Sequence, residues 1–348
     1  MKLFVKLFNM LSNCFGSAGL RADQTNLYIK DMYKVAYDVR EQKDPKYSKI
    51  YLVKSGEGVT GAGTKETQLL GADELDQEVT EGSDISFVSP IQGWVFYGKY
   101  FTYKKGVKFS FQAVEDDVKL GNLLKTYAAT WSDRAIVAKE ALAASVFNKG
   151  GDLLGNSVFD GSHTGNTDPS GNMLYDTKPL FALNSASYLH TTKGGGTYYN
   201  SVAAASTPSA ANFETLYNLM TATNNRDEQD IIRSNTPDTV LTLPGADAFA
   251  AEKVLNTTRG LPGGQLNDLN PYYGIIDMHI AWDYLDSTGG WYIGKRQDEG
   301  FQFHERQEPT FHYFRDERNL TYNASVHTRF GVFLKDWHKW VRGGGTSA

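Results

Sequence analysis

An apolar stripe runs without interruption from Asp116 to Asn148, and few folds can house it. Leu120, Leu123, Leu124, Tyr127, Trp131, Ala135, Ala138, Leu142 and Val146 recur at three- and four-residue steps, which places them on one face of a helix. Neither Gly nor Pro occurs beyond Gly121, and Glu115, Asp116 and Asp117 put negative charge at the end where the helix dipole favours it. Lys149-Gly150-Gly151 then supplies a glycine stop. At 1.5 Å per residue such a helix is roughly 50 Å long, beyond the usual length in a compact domain. It suits a flat, extended subunit better than a rounded enzyme.

The rest of the chain must accommodate this beam. The 348 residues, 41% of them apolar, allow one large or two ordinary domains with a substantial core. With 35 basic against 40 acidic residues, the net charge of -5 argues against a protein whose main task is to coat nucleic acid. Cys14 stands alone, which excludes an internal disulfide framework and a multi-thiolate zinc site. The 34 glycines beside 19 Phe and 20 Tyr predict a fold rich in strands and loops with large aromatic packing units. No run reaches the roughly 20 apolar residues that span a bilayer. At the start of the chain, Lys6, Asn9, Ser12 and Asn13 interrupt what would be a signal core. There Leu3, Phe4, Leu7, Phe8, Leu11, Cys14 and Phe15 instead repeat at helical spacing, the pattern of an amphipathic docking arm.

From Lys46 the character changes. Lys49, Lys54 and Lys65 lie on a short strand and a glycine-rich turn, Gly56 to Gly63. An acidic return follows with Glu66, Asp73, Glu74, Asp76, Glu78, Glu81 and Asp84. Apolar residues are too sparse here to build a separate core, so the stretch reads as a long two-stranded excursion, or as partly disordered until a neighbour holds it. Beyond it, Val107, Phe109 and Phe111 alternate with Lys108, Ser110 and Gln112, the period of a half-buried strand. After the long helix come a turn-rich region over 151–210 and a second helix over Ala210 to Thr223, with Phe213, Leu216, Tyr217 and Met220 on one face. A buried strand from Thr239 to Leu243, a helix from Ala246 to Asn256, and a loop from Arg259 to Pro271 follow. Alternation over Leu320, Tyr322, Ala324, Val326, Thr328 and Phe330 marks a long strand. This mixed order, without βαβ periodicity, indicates an α+β fold.

Chemistry-bearing patterns are weak. Gly56-Glu57-Gly58-Val59-Thr60-Gly61 matches the letters of a dinucleotide loop, but its strand is short and an acidic stretch follows it, so a hairpin tip is the better reading. His304, Glu305 and His312 lack the i, i+4 spacing of a zinc helix and read as polar positions on strands and turns. No nucleophile elbow, Walker loop or EF-hand loop occurs. We therefore expect no catalytic, metal or cofactor-binding residues and no cofactor.

Several short motifs, in order, resemble the major capsid protein of tailed bacteriophages, particularly head subunits of the Mu-like kind. Asp176-Thr177-Lys178-Pro179-Leu180-Phe181 is similar to the family's D-G-x-P-L-F segment, and Gly194-Gly195-Gly196-Thr197-Tyr198-Tyr199-Asn200 to the G-G-T-x-x-N that follows it. Pro237, Val240-Leu241, Pro244 and Ala250-Ala251 resemble a strand-and-helix step of the axial domain. Ala281-Trp282, Trp291-Tyr292, Arg329-Phe330-Gly331 and Asp336-Trp337 resemble the closing strands. The chain departs from the family in having Asn184-Ser185-Ala186-Ser187 where a His-Pro pair is common.

The resemblance implies a Hong Kong 97-type fold. Its parts would be an N-terminal arm (1–45), an extended loop (46–98), a peripheral domain (99–205) with a spine helix (116–148), an axial domain (206–310) and C-terminal strands (311–348) returning to the peripheral domain. It implies a homo-oligomer of hexamers and pentamers within a virion capsid, a separate scaffolding protein, a portal, and optional decoration proteins. Contact with packaged DNA would be weak and nonspecific, and no membrane would be involved. Inter-subunit contacts would pair Lys49, Lys54, Glu66, Asp73, Glu74, Asp76 and Glu78 of the loop with a neighbour, the acids meeting Lys99, Lys104, Lys105 and Lys108. Arg259, Gly260, Gly263 and Gly264 would line the ring centre. Two other expectations stand beside this one: an encapsulin-like compartment, which shares the fold, and a secreted glycan-active enzyme, suggested by six Trp and many Tyr.

Overall fold

In the computed structural model, residues 20–56, 63–70, 91–110, 120–151, 178–184, 189–258, 269–286, 290–316, 318–319 and 321–344 are described. Over these the chain forms α1 (Leu20–Gln42), α2 (Tyr47–Ile50), β1 (Leu52–Ser55), β2 (Gly63–Leu70), β3 (Ile91–Lys99), β4 (Phe101–Ser110) and the long α3 (Leu120–Asn148). There follow β5 (His190–Thr191), β6 (Thr197–Tyr198), β7 (Ser201–Val202), α4 (Ala210–Asn218) with a π turn at Leu219–Thr223, β8 (Thr239–Thr242) and α5 (Ala246–Asn256). The chain closes with β9 (Met278–Ala281), β10 (Trp291–Gly294), β11 (Phe301–Asp316), β12 (Thr321–Leu334), a 3-10 turn (Trp337–Lys339) and β13 (Trp340–Gly343). The fold is α+β, a long helix packed with mixed sheets. At 29 residues α3 spans roughly 43 Å; the start expected at Asp116 lies outside the described residues.

The chain divides into two units. The first comprises Met1–Asp44, Thr102–Val137 and Gln307–Arg329. In it Met32 and Ala36 of α1 join Leu124, Ala128 and Trp131 of α3 and the strand residues Phe311, Tyr313, Ala324 and Val326 in one buried cluster. Along β11 the period of two is explicit: Phe311 and Tyr313 are buried while His312 and Phe314 face out. The sheet places β12 between β11 and β4. Only four residues join β11 to β12, too few for a crossover, so the pair is antiparallel. Val107 and Phe109, expected to alternate inward on β4, are partly buried against the cluster. The two helices are tied by Ser132 Oγ, which donates to the Ala36 carbonyl at 3.1 Å, and by a 3.0 Å pair between Lys125 and Asp31.

The second unit comprises Pro45–Phe101, Ala138–Arg306 and Phe330–Ala348. Its larger core gathers Ala143, Ala144, Val146 and Phe147 of α3 with Tyr51, Phe181, Trp282, Tyr292, Phe301, Phe330 and Trp340. Tyr47, Ile50 and Tyr51 belong to this core, so the expected extended loop opens with three buried side chains, whereas Val53 and Ser55 of β1 are exposed. Two tyrosines satisfy carbonyls of the α3 end: Tyr51 Oη donates to Ala143 at 2.9 Å and Tyr292 Oη to Phe147 at 2.9 Å. A five-stranded sheet runs in the order β7-β13-β10-β8-β9. Its centre is antiparallel (β13 with β10, β10 with β8) and its margins parallel (β7 with β13, β8 with β9). Every residue of β8, β10 and β13 is buried, Thr239, Thr242 and Arg342 included, which is why these strands show no alternation of inward and outward positions.

A smaller core covers this sheet with Phe213, Leu216 and Met220 of the second helical segment and Val254 and Leu255 of α5. The spacing had placed the first three on one face. The segment ends as a π turn because Asn224 is buried and held elsewhere: its N–H closes on the Leu219 carbonyl at 2.8 Å while Nδ2 donates to Tyr199 at 2.9 Å.

Candidate functional site

The feature with most reach is the β2–β3 hairpin. Its strands pair antiparallel from Gly63↔Lys99 to Leu70↔Ile91, with a register irregularity between Thr67 and Leu69. Asp73, Glu74, Asp76 and Glu78, between the strands, lie outside the described residues, as do Arg259, Gly260, Gly263 and Gly264. The hairpin's root is packed tightly on β12. A Cβ on Gly98 would come within 2.8 Å of the Phe333 ring, and one on Gly331 within 2.3 Å of the Lys99 carbonyl oxygen. Only glycine permits the two strands to approach so closely.

A buried polar chain fastens the same root. Thr64 Oγ1 is hydrogen-bonded to Tyr100 Oη, Tyr100 Oη lies 3.0 Å from His304 Nδ1, and His304 Nε2 lies 2.8 Å from Gln302 Oε1. Gln302 Nε2 donates to the Glu299 carbonyl at 2.7 Å, which fixes its oxygen toward the histidine. His304 is therefore the neutral tautomer with hydrogen on Nε2, accepting from Tyr100. Burial, reinforced by the cations Lys54 and Lys335 and only partly opposed by Glu66, pulls its pKa from 6.5 to about 4. Glu66 forms an ion pair with Lys335 of its own chain. Higher on β3, Trp94 Nε1 donates to Glu228 at 2.8 Å and carries the Lys193 ammonium 3.9 Å from its ring centre.

The two motif segments meet beside this hairpin anchor. Asn200 is fully buried, and its Nδ2 donates to the carbonyls of Leu180 (2.8 Å), Trp340 (3.1 Å) and Trp337 (3.2 Å), while Oδ1 accepts from Ala182 N–H at 2.7 Å. One amide thus closes the Pro-Leu-Phe segment onto the last strand. The triple glycine wraps a carboxylate: Asp230, itself at φ +64°, accepts from Gly196 N–H (3.1 Å), Thr192 Oγ1 (3.0 Å) and Tyr198 Oη (2.8 Å). A Cβ on Gly194 or Gly196 would sit 2.5 Å from that carboxylate. Asn200→Ala strands these groups in a dry core, and we expect it to cost about 3 kcal/mol or more of unfolding free energy in denaturant titration. A loss below about 1 kcal/mol would show that the amide is not what joins the segments.

The middle of α3 carries charge into the core. Lys139 and Glu305 form a buried ion pair at 2.8 Å, and Tyr47 Oη donates to the same carboxylate oxygen at 2.7 Å. Glu140 accepts from Lys46 N–H (2.5 Å) and Trp282 Nε1 (2.7 Å), and burial raises its pKa despite these donors. So His304 and Glu305, read from sequence as ordinary polar positions, are both inside.

Of the expected contact residues, Lys54 and Glu66 both act on His304, and Lys49 is half-buried at the end of α2. Lys99 is exposed at the end of β3, and Lys104, Lys105 and Lys108 are exposed on β4, at one margin of its sheet. Lysines on an open margin also discourage stray strand pairing. Sequence reasoning missed Thr64, Tyr100, Asp230 and Lys139, and named Asn200 only as part of a motif. The signal available was Lys139-Glu140, a charged pair directly beside the apolar stripe. Among the described residues no group of three or more His, Cys, Asp or Glu side chains is placed to hold a metal ion.

No protein-family model matches the sequence, and no curated protein does. Solved structures do resemble it in backbone. The capsid of Myoviridae phage XM1 aligns with TM-score 0.46 and 12% identity over 85% of this chain and 90% of that one. The capsid of a native GTA particle gives 0.47 and 14% over 85% and 89%. A virus-like particle from Pyrococcus furiosus gives 0.47 and 9% over 90% and 98%.

Proposed function

We propose that this chain is a structural shell subunit of the Hong Kong 97 type, the major head protein of a tailed bacteriophage. Copies assemble into hexamers and pentamers around double-stranded DNA, with a separate scaffolding protein and a portal. The observation that carries this reading is the meeting of the two motif segments through Asn200, in a chain whose elements follow the family's order: arm, hairpin, spine helix, turn-rich stretch, mixed sheet. The hairpin supports it as well, because a two-stranded projection rooted by its own chain is suited to reach another subunit. The acidic residues of the extended loop then face Lys99, Lys104, Lys105 and Lys108 of a neighbour.

Each exposed pair contributes only about 0.2–1 kcal/mol, but repetition around a closed ring multiplies weak contacts while leaving them reversible during assembly. The triple change Lys104→Glu, Lys105→Glu and Lys108→Glu is expected to abolish most shell formation while the subunit's denaturation midpoint stays unchanged. Shells in normal yield from the triple variant would refute the pairing. Electron microscopy of the expressed chain, alone and with its genomic neighbours, tests the wider reading. Closed shells holding nuclease-resistant DNA are the expected result. Shells that copurify with a protein cargo and no DNA point to an encapsulin-like compartment, and a monomer stabilised by saccharide to a glycan-active enzyme.

A further inference from the structure

Two imidazoles lie side by side on the β11–β12 hairpin. His312 of β11 and His327 of β12 have ring centres 5.0 Å apart and planes only 6° from parallel. A helical spacing rule cannot register such a pair, because the strand pairing and not sequence proximity brings the residues together. Phe311 and Tyr313 are buried on one side of the sheet, so His312 between them occupies the outer face, where it is exposed. His327, between the buried Val326 and Thr328, is half-buried on that same face.

The spacing suits a shared metal ion better than packing. Two imidazoles that bind one ion at about 2.0–2.1 Å, with a near-tetrahedral angle between their nitrogens, have centres about 5 Å apart. Where histidine stacks for packing, on Trp337, the centres are closer, 4.1 Å for His190 and 3.7 Å for His338. The nitrogens of the pair need only swing into line. The Cβ–Cγ torsion that moves them is broad and leaves each ring centre in place. The Gln307 amide nitrogen lies 2.7 Å from His327 Nε2 and 3.2 Å from Thr310 Oγ1. Turned over so that its oxygen faces the ring, this amide accepts from Nε2–H and leaves the Nδ1 lone pair for an ion, the outer-shell arrangement common to metal-bound histidines. A metal takes neutral imidazole, and burial, with His312 alongside, holds the His327 pKa below its ordinary 6.5.

We propose that His312 and His327 form a surface chelate for a first-row divalent ion of the zinc and copper kind. Imidazole suits these ions, whereas magnesium and calcium call for oxygen ligands. Among the described residues no group of three or more His, Cys, Asp or Glu side chains is placed to hold an ion, so the chelate has two protein ligands. At least two positions stay open to water, and the ion exchanges with solvent. The site lies within one chain and is independent of the shell reading.

Isothermal titration calorimetry of the untagged full chain near neutral pH tests this, with Cu2+ or Zn2+ as the only added metal. One ion of either should bind per chain, Cu2+ the more tightly, while Mg2+ gives no binding heat. His312→Asn removes an exposed ligand without disturbing the core, and should weaken both metals at least about tenfold. His327→Asn should do the same; if it fails to fold, His312→Asn carries the test alone. His279→Asn, a change in the other unit, should leave both affinities as they were. Electron paramagnetic resonance of the Cu2+ form should show coupling to two nitrogens in the parent and to one in His312→Asn. The proposal is overturned if neither metal binds saturably, or if His312→Asn binds both as the parent does. It also falls if His279→Asn weakens binding equally or if the parent spectrum shows a single nitrogen.

Discussion

Phe147→Ala is expected to lower the unfolding free energy by about 3–5 kcal/mol, among the largest effects of any single truncation in this chain. The ring is fully buried at the last turn of α3, with Tyr292 and Trp340 at 5.0 and 5.2 Å between centres and Phe301, Trp282, Phe181 and Tyr51 at 6.0–6.1 Å. Those neighbours are stiff. Tyr51, Tyr292 and Trp282 are pinned by hydrogen bonds to Ala143, Phe147 and Glu140. They cannot collapse into the space left behind, so the cavity cost adds to the lost transfer energy. A guanidinium titration of unassembled subunit should show a lower midpoint with unchanged slope. Phe147→Leu, which keeps most of the volume, should cost under about 1.5 kcal/mol. Similar losses for the two variants would mean that this aromatic core is plastic.

Lys139→Met is expected to cost a comparable 3–5 kcal/mol or so, for an electrostatic reason. The Lys139 and Glu305 side chains are only 5% and 4% exposed, so removing the lysine leaves a carboxylate in the core without its counter-charge from α3, though Tyr47 still donates to it. The double variant Lys139→Met with Glu305→Leu should regain most of the loss, since an apolar pair of similar volume carries no desolvation penalty. A double-mutant cycle in which the two changes add independently would remove the pair as the cause.

Elements with strong local periodicity were open to reading from the chain alone. Leu123 is exposed, but the stripe from Leu124 to Val146, the face of Phe213, Leu216 and Met220, and the alternation of Ala324 and Val326 each emerged in the expected element. In these cases a local pattern and a buried face are the same fact. What was not legible is long-range. His304 meets Tyr100 across 204 positions, Lys139 meets Glu305 across 166, and Asn200 meets Trp340 across 140. No window of sequence contains both partners, and a histidine on a strand looks alike whether its neighbour is water or a tyrosine. Asn200 was quoted as the end of a motif, yet its role emerged only when Leu180, Trp337 and Trp340 were seen to converge on one amide.

The division between the two units falls inside β4, α3, β11 and β12, and only at Asp44–Pro45 in a connecting segment. Each unit is consequently a composite of separate chain pieces, three apiece, none of which is a finished module. Such an arrangement resists exchange: a recombination event that swapped any contiguous block would sever partners in both halves. Variation in this lineage should therefore accumulate as point changes and loop-length differences, while grafts of whole domains from a relative should yield insoluble product.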